Sequence, residues 1–174
     1  MSGPSRPELV LFAGPAGAGK TALAAAWCAT RERAVHIQLD EVRSLIVAGL
    51  ADPQAGGSLA GRQYAVSVQA CIALAPAFLA DGYDVAVDDV MQPDAFEAYW
   101  RPVLADLAFR LIVVLPELEE TLQRSAVREK RVRPDLTRQQ HAASLNWPQE
   151  LRLDTTRLDI ASSLEAARGM ALIP

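Results

Sequence analysis

The hydrophobic positions along the chain fall into short apolar runs separated by longer stretches of helical spacing. The run Leu9–Ala13 is followed by a glycine-rich turn and a helical pattern over about residues 20–31. A second run covers residues 35–39, and a short helix begins near Glu41. Residues 51–58 (ADPQAGGS) carry turn chemistry. A long helix is predicted over about residues 59–80, with Pro76 expected to kink it and Asp81-Gly82 ending it. A third strand is Asp84–Asp88, and Pro93 reads as the first position of a helix running to about residue 107. A fourth strand covers 110–115, and a helix is expected over about 117–129. Residues 130–136, with Pro134, read as a charged mobile loop. A helix over 137–145, a short strand at 151–153 and a last helix near 160–170 complete the pattern.

Strands alternating with helices indicate an α/β fold on a parallel sheet. Runs such as residues 111–115 show no polar alternation, as expected for strands buried on both faces. In such sheets ligands gather at the carboxyl ends of the strands, so the polar residues following each strand are the candidate site residues.

The length of 174 residues suits one domain with one sizeable core. A net charge of −4 and a pI near 5.2 argue against generic nucleic-acid binding. Cys28 and Cys71 have neither metal spacing nor a disulfide framework and read as buried thiols. No signal-peptide pattern opens the chain, and runs such as 111–115 are too short to span a bilayer, so the expectation is a cytoplasmic protein without a membrane partner. Nothing in the residues specifies an oligomeric state.

The turn after the first strand reads Gly14-Pro15-Ala16-Gly17-Ala18-Gly19-Lys20-Thr21 and matches G-x-x-x-x-G-K-[ST] in full. Its glycines let backbone N–H groups converge on phosphate oxygens, and the start of the following helix, through Ala22, adds its dipole. Lys20 is expected to reach the β- and γ-phosphates, and the Thr21 hydroxyl to bind Mg²⁺. A dinucleotide fingerprint over residues 17–22, with Asp40 as the ribose partner, leaves Gly14 and Lys20-Thr21 unexplained.

Asp40 follows the second strand and Asp88 ends the third. A P-loop enzyme needs a metal-side carboxylate, and a kinase gains from a base for the acceptor hydroxyl. Val85-Ala86-Val87-Asp88 is a Walker B pattern, so Asp88 is assigned to the metal, with Asp89 the alternative. Asp40 is assigned as base, against the competing role of helix N-cap. Arg124, Arg128, Lys130, Arg131, Arg133 and Arg138 form a basic stretch. Arg124 and Arg128 share a helix face and suit an adenine-stacking and phosphate-clamping role; Lys130 and Arg133 suit a solvated loop. The loop beyond, about 128–138, is a candidate kinase lid. His36 is read as a core or edge residue, His141 as a surface residue, and Trp27, Trp100 and Trp147 as packing anchors.

The P-loop, Leu39-Asp40-Glu41-Val42-Arg43 and Val87-Asp88-Asp89-Val90 resemble the P-loop kinases that include chloramphenicol phosphotransferase, the zeta toxins and the kinase domain of polynucleotide kinase. That resemblance implies a three-layer fold, a five-stranded parallel sheet with helices on both faces. It implies ATP and Mg²⁺ as cofactors, Asp40 as the base, and Arg43 holding the acceptor or the transferring phosphate. It gives Arg124 and Arg128 the adenine-side and lid-arginine roles. The expected reaction is transfer of the γ-phosphoryl group to a small-molecule hydroxyl. A 5′-hydroxyl polynucleotide acceptor, or a nucleotide-dependent switch without an acceptor, are the alternatives.

Overall fold

The computed structural model describes residues 6–127, 132–170 and 172–173. Five parallel strands, β1 (Leu9–Ala13), β2 (Ala34–Gln38), β3 (Asp84–Asp88), β4 (Phe109–Val114) and β5 (Arg152–Leu153), lie in the order β2-β3-β1-β4-β5. The register pairs Leu11 with Val87 on one side and with Leu111 on the other. A sixth strand, β6 (Leu172–Ile173), pairs antiparallel with the start of β4 and was not expected.

The strands are apolar at successive positions because helices cover both faces. Leu9, Leu11, Ala13, Val85, Val87, Leu111 and Val113 point to one face. There they meet Val68, Cys71, Ile72 and Ala75 of α3 (Ser58–Ala80), together with Phe96, Trp100 and Leu104. Val10, Phe12, Ala86, Ile112 and Val114 point to the other. They pack on Leu23, Ala24 and Trp27 of α1 (Lys20–Ala29) and on Ala167 of α8 (Ile160–Arg168). Burying both sides of β1 and β4 contributes about 1.5–3 kcal/mol per large side chain before entropy is counted.

The remaining helices are α2 (Leu39–Ser44), α4 (Pro93–Ala95), α5 (Arg101–Leu104), α6 (Leu118–Ala126) and α7 (Pro134–Ser144). The expected single helix from Pro93 is interrupted by a π-helical turn, Phe96–Trp100, in which Arg101 N–H reaches back to Phe96 O. Pro102 has no N–H and its ring would crowd the Ala98 carbonyl; widening the turn relieves both. Pro134, expected in a loop, instead occupies the first turn of α7, where its missing N–H costs nothing. Of the candidate lid, residues 134–138 are thus helical, and 128–131 lie outside the described residues.

α3 runs through the exposed Pro76 and has the length and mean hydropathy, 1.4, of a bilayer-crossing helix. One face of it is nevertheless spent on the sheet. Cys71, on that face, is pushed up to about 12, by burial first and then by the nearby carboxylates of Asp89 and Asp88. Cys28, expected to be buried, is half-buried; its thiol is pushed up to about 11 by that partial burial and by Asp84. At pH 8 both thiols are protonated in the folded protein. Alkylation by iodoacetamide, counted by mass spectrometry, is expected to run about a hundredfold slower in native than in unfolded protein. Equal rates would show that these thiols are not buried as described.

Candidate functional site

The turn between β1 and α1 bends through three glycines with positive φ: Gly14 at 134°, Gly17 at 86° and Gly19 at 96°. Two of them are also pinned sterically. A Cβ on Gly14 would enter the van der Waals shell of Val114 O, and one on Gly17 that of Thr121 O. The loop is therefore wedged between the end of β4 and α6. Ala18 N–H closes a turn onto Pro15 O at 3.2 Å. Lys20 is buried, and its Nζ donates to Pro15 O at 2.9 Å. Gln140 of α7, which no sequence signal marked, accepts from the Ala16 N–H at 3.0 Å. Ala22 sits exposed in the first turn of α1.

β3 lies beside β1, so its terminal carboxylate stands next to the loop. Thr21 Oγ1 donates to Asp88 Oδ1 at 3.1 Å. Asp88 Oδ2 accepts from His36 Nε2 at 2.6 Å. His36, read as a core or edge residue, thus anchors the candidate metal-side acid, in the way outer-shell partners orient metal-binding carboxylates. Among the described residues no group of three or more His, Cys, Asp and Glu is arranged to hold a metal ion by itself. A P-loop Mg²⁺ does not need one, because it takes one or two side chains and fills its octahedron with phosphate oxygens and water. The paired oxygens of Thr21 and Asp88 fit that role.

Asp89 turns away from this pair. It is buried, and its Oδ2 accepts from Tyr64 Oη at 2.6 Å. Tyr64 in turn accepts from Trp100 Nε1 at 2.9 Å. Burial pushes the Asp89 carboxyl up to about 6, with Asp40 adding to the rise, while Tyr64 and Lys20 oppose it. Burial and Asp89 raise the Tyr64 phenol well above its ordinary range, so it remains a donor.

Two cavities meet here. A small chamber of about 80 Å³ is lined by Lys20, Thr21, Asp40, Asp88 and Asp89, with Ala16, Val90 and Val132. A larger one of about 510 Å³ opens between α2, α3 and α7, with Leu39, Arg43, Leu50, Pro53 and Leu136 among its walls. Asp40 and Asp89 border both. Asp40 is exposed and lies in the first turn of α2, where the N-cap is Gln38, so Asp40 does not cap the helix. Arg43 is 7% exposed; its Nη2 donates to Ala51 O at 2.7 Å, while its buried Nε has no partner among the described residues.

Arg124 of α6 lies behind the loop. Its Nη2 donates to Thr155 O at 3.1 Å and its Nη1 to Ala18 O at 3.4 Å, and Glu120 accepts from its Nε at 2.7 Å. It ties the loop to the segment following β5. Arg128 lies outside the described residues. Arg133 and Arg138 are exposed, Arg133 near Asp135 at 3.6 Å. His141, expected on the surface, is buried and donates from Nε2 to Pro116 O at 2.9 Å.

A family model described as AAA domain matches residues 9–151, which covers every strand up to the start of β5. The chain belongs to this AAA domain family. No curated protein matches it. Among solved structures, this AAA domain protein is similar to the tunicamycin resistance protein of Deinococcus radiodurans (TM-score 0.72, 17% identity, 97% of this chain and 99% of that one). It is also similar to a sugar kinase from Janibacter sp. HTCC2649 (TM-score 0.71, 16% identity, 94% of each chain). The APS kinase of Mycobacterium tuberculosis, solved with AMPPNP and APS, matches at a TM-score of 0.59 and 20% identity over 95% of each chain. These likenesses establish a P-loop kinase-like fold.

Proposed function

We propose that this AAA domain protein is an ATP- and Mg²⁺-dependent phosphotransferase that moves the γ-phosphoryl group to a hydroxyl of a small molecule. The observation that carries this reading is the junction of the two cavities at Asp40. A nucleotide switch needs the phosphate chamber alone; a kinase needs a second cavity opening onto it, with a base between. The larger cavity has the size of a small-molecule site.

In this reading, Gly14, Pro15, Ala16, Gly17, Ala18, Gly19, Lys20, Thr21 and Ala22 form the nucleotide cradle, and Thr21 with Asp88 holds the metal. Mg²⁺ would supply charge neutralisation on the donor phosphates. Lys20 provides positive charge to the transferring group. Asp40 accepts the proton of the acceptor hydroxyl as its oxygen bonds to the γ-phosphorus. The bond from that phosphorus to the bridging oxygen breaks, and ADP leaves with the electron pair. Arg43, buried in the acceptor wall, orients the acceptor or the transferring phosphate. Arg124 braces the nucleotide side of the loop, and Arg128 is assigned the lid position.

The resemblance to chloramphenicol phosphotransferase supports a small-molecule acceptor, as do the likenesses to a tunicamycin resistance protein and a sugar kinase. A polynucleotide acceptor is disfavoured by charge. Among the described residues, Asp40, Asp52 and Asp89 line the cavity against Arg43, while Arg124, Arg133 and Arg138 do not line it. The activity goes with a cytoplasmic location, where ATP and Mg²⁺ are supplied, and with a single kinase domain over the whole chain.

The test is incubation with γ-labelled ATP, Mg²⁺ and a panel of hydroxylated antibiotics, sugars, nucleosides and 5′-hydroxyl oligonucleotides. Label on a small molecule is the expected result. Label on the oligonucleotide would transfer the assignment to a polynucleotide kinase. Release of phosphate alone, across the panel, would favour a switch.

A further inference from the structure

Asp89 is the acid that the proposed reaction leaves without a task. It follows Asp88 directly, yet the two serve different spaces. Asp88 meets Thr21 and His36 and borders the small chamber but not the acceptor cavity. Asp89 borders that chamber and the acceptor cavity as well, as Asp40 does.

The hydrogen bonds around Asp89 have a determined direction. An indole N–H only donates, so Trp100 Nε1 gives its proton to Tyr64 Oη. Tyr64 must then give its own proton to Asp89 Oδ2. The relay joins three elements: Tyr64 comes from α3, Trp100 closes the π-helical turn, and Asp89 follows β3. π-Helical turns recur at functional sites, and here the turn places the indole against the phenol. Tyr99, in the same turn, packs edge-on against the Tyr64 ring with centroids 5.5 Å apart. Tyr64 is therefore held at both its ring and its oxygen, and it holds Asp89 in turn. Lys20 from α1 and Asp40 from α2 are the other charged groups acting on this carboxylate.

A buried carboxylate with acceptor capacity facing a cavity is served by donors in the ligand that fills it. The reacting hydroxyl cannot be that donor, because its one proton goes to Asp40. Resting on the phosphotransferase reading above, we propose that Asp89 is a second acceptor-binding carboxylate, positioned by Tyr64. It accepts a hydrogen bond from an O–H or N–H that neighbours the reacting hydroxyl, so the site selects diols and amino alcohols over simple alcohols. Asp89 neither gains nor loses a proton in the transfer. The oxygen-to-phosphorus bond forms, the bond to the ADP oxygen breaks, and the proton passes to Asp40. Tyr64 and the Val90 backbone satisfy only part of the Asp89 carboxylate, so a simple alcohol leaves its remaining acceptor capacity desolvated and unmet, a penalty that a site built for the extra donor imposes strongly.

The experiment measures transfer of γ-labelled phosphate to paired acceptors: ribose and 2-deoxyribose, chloramphenicol and its 1-deoxy analogue, 3-amino-1-propanol and 1-propanol. Wild type is expected to prefer the member with the second donor by about tenfold or more in kcat/KM. In Asp89→Asn and Tyr64→Phe that preference is expected to shrink. The KM for the preferred acceptor rises about tenfold, with a smaller change in kcat and an unchanged KM for ATP. Tyr64→Phe keeps the ring packing and Asp89→Asn keeps the shape, so a merely structural role would not separate the two KM values in this way. Wild-type transfer with unaltered acceptor KM and preference in both variants overturns the inference and leaves the kinase reading standing. Absence of label on every pair with the wild-type protein overturns both.

Discussion

Replacing Gly17 with alanine is expected to weaken nucleotide binding by about a hundredfold or more while leaving the sheet folded. Gly17 has a φ of 86°, which costs a non-glycine residue about 1–2 kcal/mol. The new methyl would also overlap Thr121 O and sit 2.9 Å from Ser125 Cβ and 3.0 Å from Ser125 N. Two of these are backbone atoms of the ordered helix α6, so the loop, not the helix, has to move. Moving it withdraws the N–H groups proposed to receive phosphate. Gly19 makes the control: its φ of 96° is equally unfavourable, but the nearest atom to a Cβ there is Arg124 Nη1 at 3.7 Å. Gly19→Ala should therefore carry strain without collision, losing about tenfold in affinity against about a hundredfold or more for Gly17→Ala. Gly61, inside α3 with nothing within 4 Å of an added Cβ, is the opposite control. Gly61→Ala should stabilise the protein by about 0.5–1 kcal/mol and leave binding untouched. Titration calorimetry with a non-hydrolysable ATP analogue, paired with thermal unfolding, separates the three. Native affinity in Gly17→Ala would mean that this loop is not the phosphate cradle.

These contrasts track what was legible in the sequence. The loop is local: eight consecutive residues carry the signal, and the apolar run before it and the helical run after it fix the context. The strands were legible for a similar reason, since Val10 and Leu11 are both apolar only if both faces of β1 are covered. Asp40 and Asp88 were legible as strand-end carboxylates. What sequence order hides is contact between distant residues. His36 reaches Asp88 because β2 and β3 pair with Gln38 opposite Asp88, a register that nothing in either strand announces. Tyr64 reaches Asp89 only through the seating of α3 on the sheet, and it looks like one more aromatic in an apolar helix. Gln140 reaches Ala16 across 124 positions. The π-helical turn is a response to Pro102 within an otherwise helical pattern, and its consequence for Trp100 appears only in three dimensions. β6 is two residues long and pairs with Phe109 and Arg110 of β4, ahead of the positions that pair with β5, so no periodicity could have marked it.

Asp40→Asn is expected to leave ATP affinity within about twofold of wild type and to lower phosphoryl transfer by about 10²–10⁴-fold, the contribution of a positioned general base. The structure makes this substitution unusually clean. Asp40 is exposed and does not cap α2, so the amide leaves the helix intact; besides the chemistry it removes the negative charge that raises the Asp89 carboxyl. It is one of the residues that line both cavities, which places it beside the route from a hydroxyl in the larger one to a phosphate held at Lys20. The loss should fall on kcat with acceptor KM nearly constant, because the proton is accepted only as the new bond forms. Asp89→Asn should show the converse, a rise in acceptor KM with a smaller change in kcat. Single-turnover transfer measured beside acceptor KM distinguishes the two carboxylates. Two acids that border the same cavities would then divide the work, one taking the proton and one holding the molecule that gives it up. Wild-type transfer by Asp40→Asn would show that the proton leaves by another route, and the division of labour between these residues would have to be redrawn.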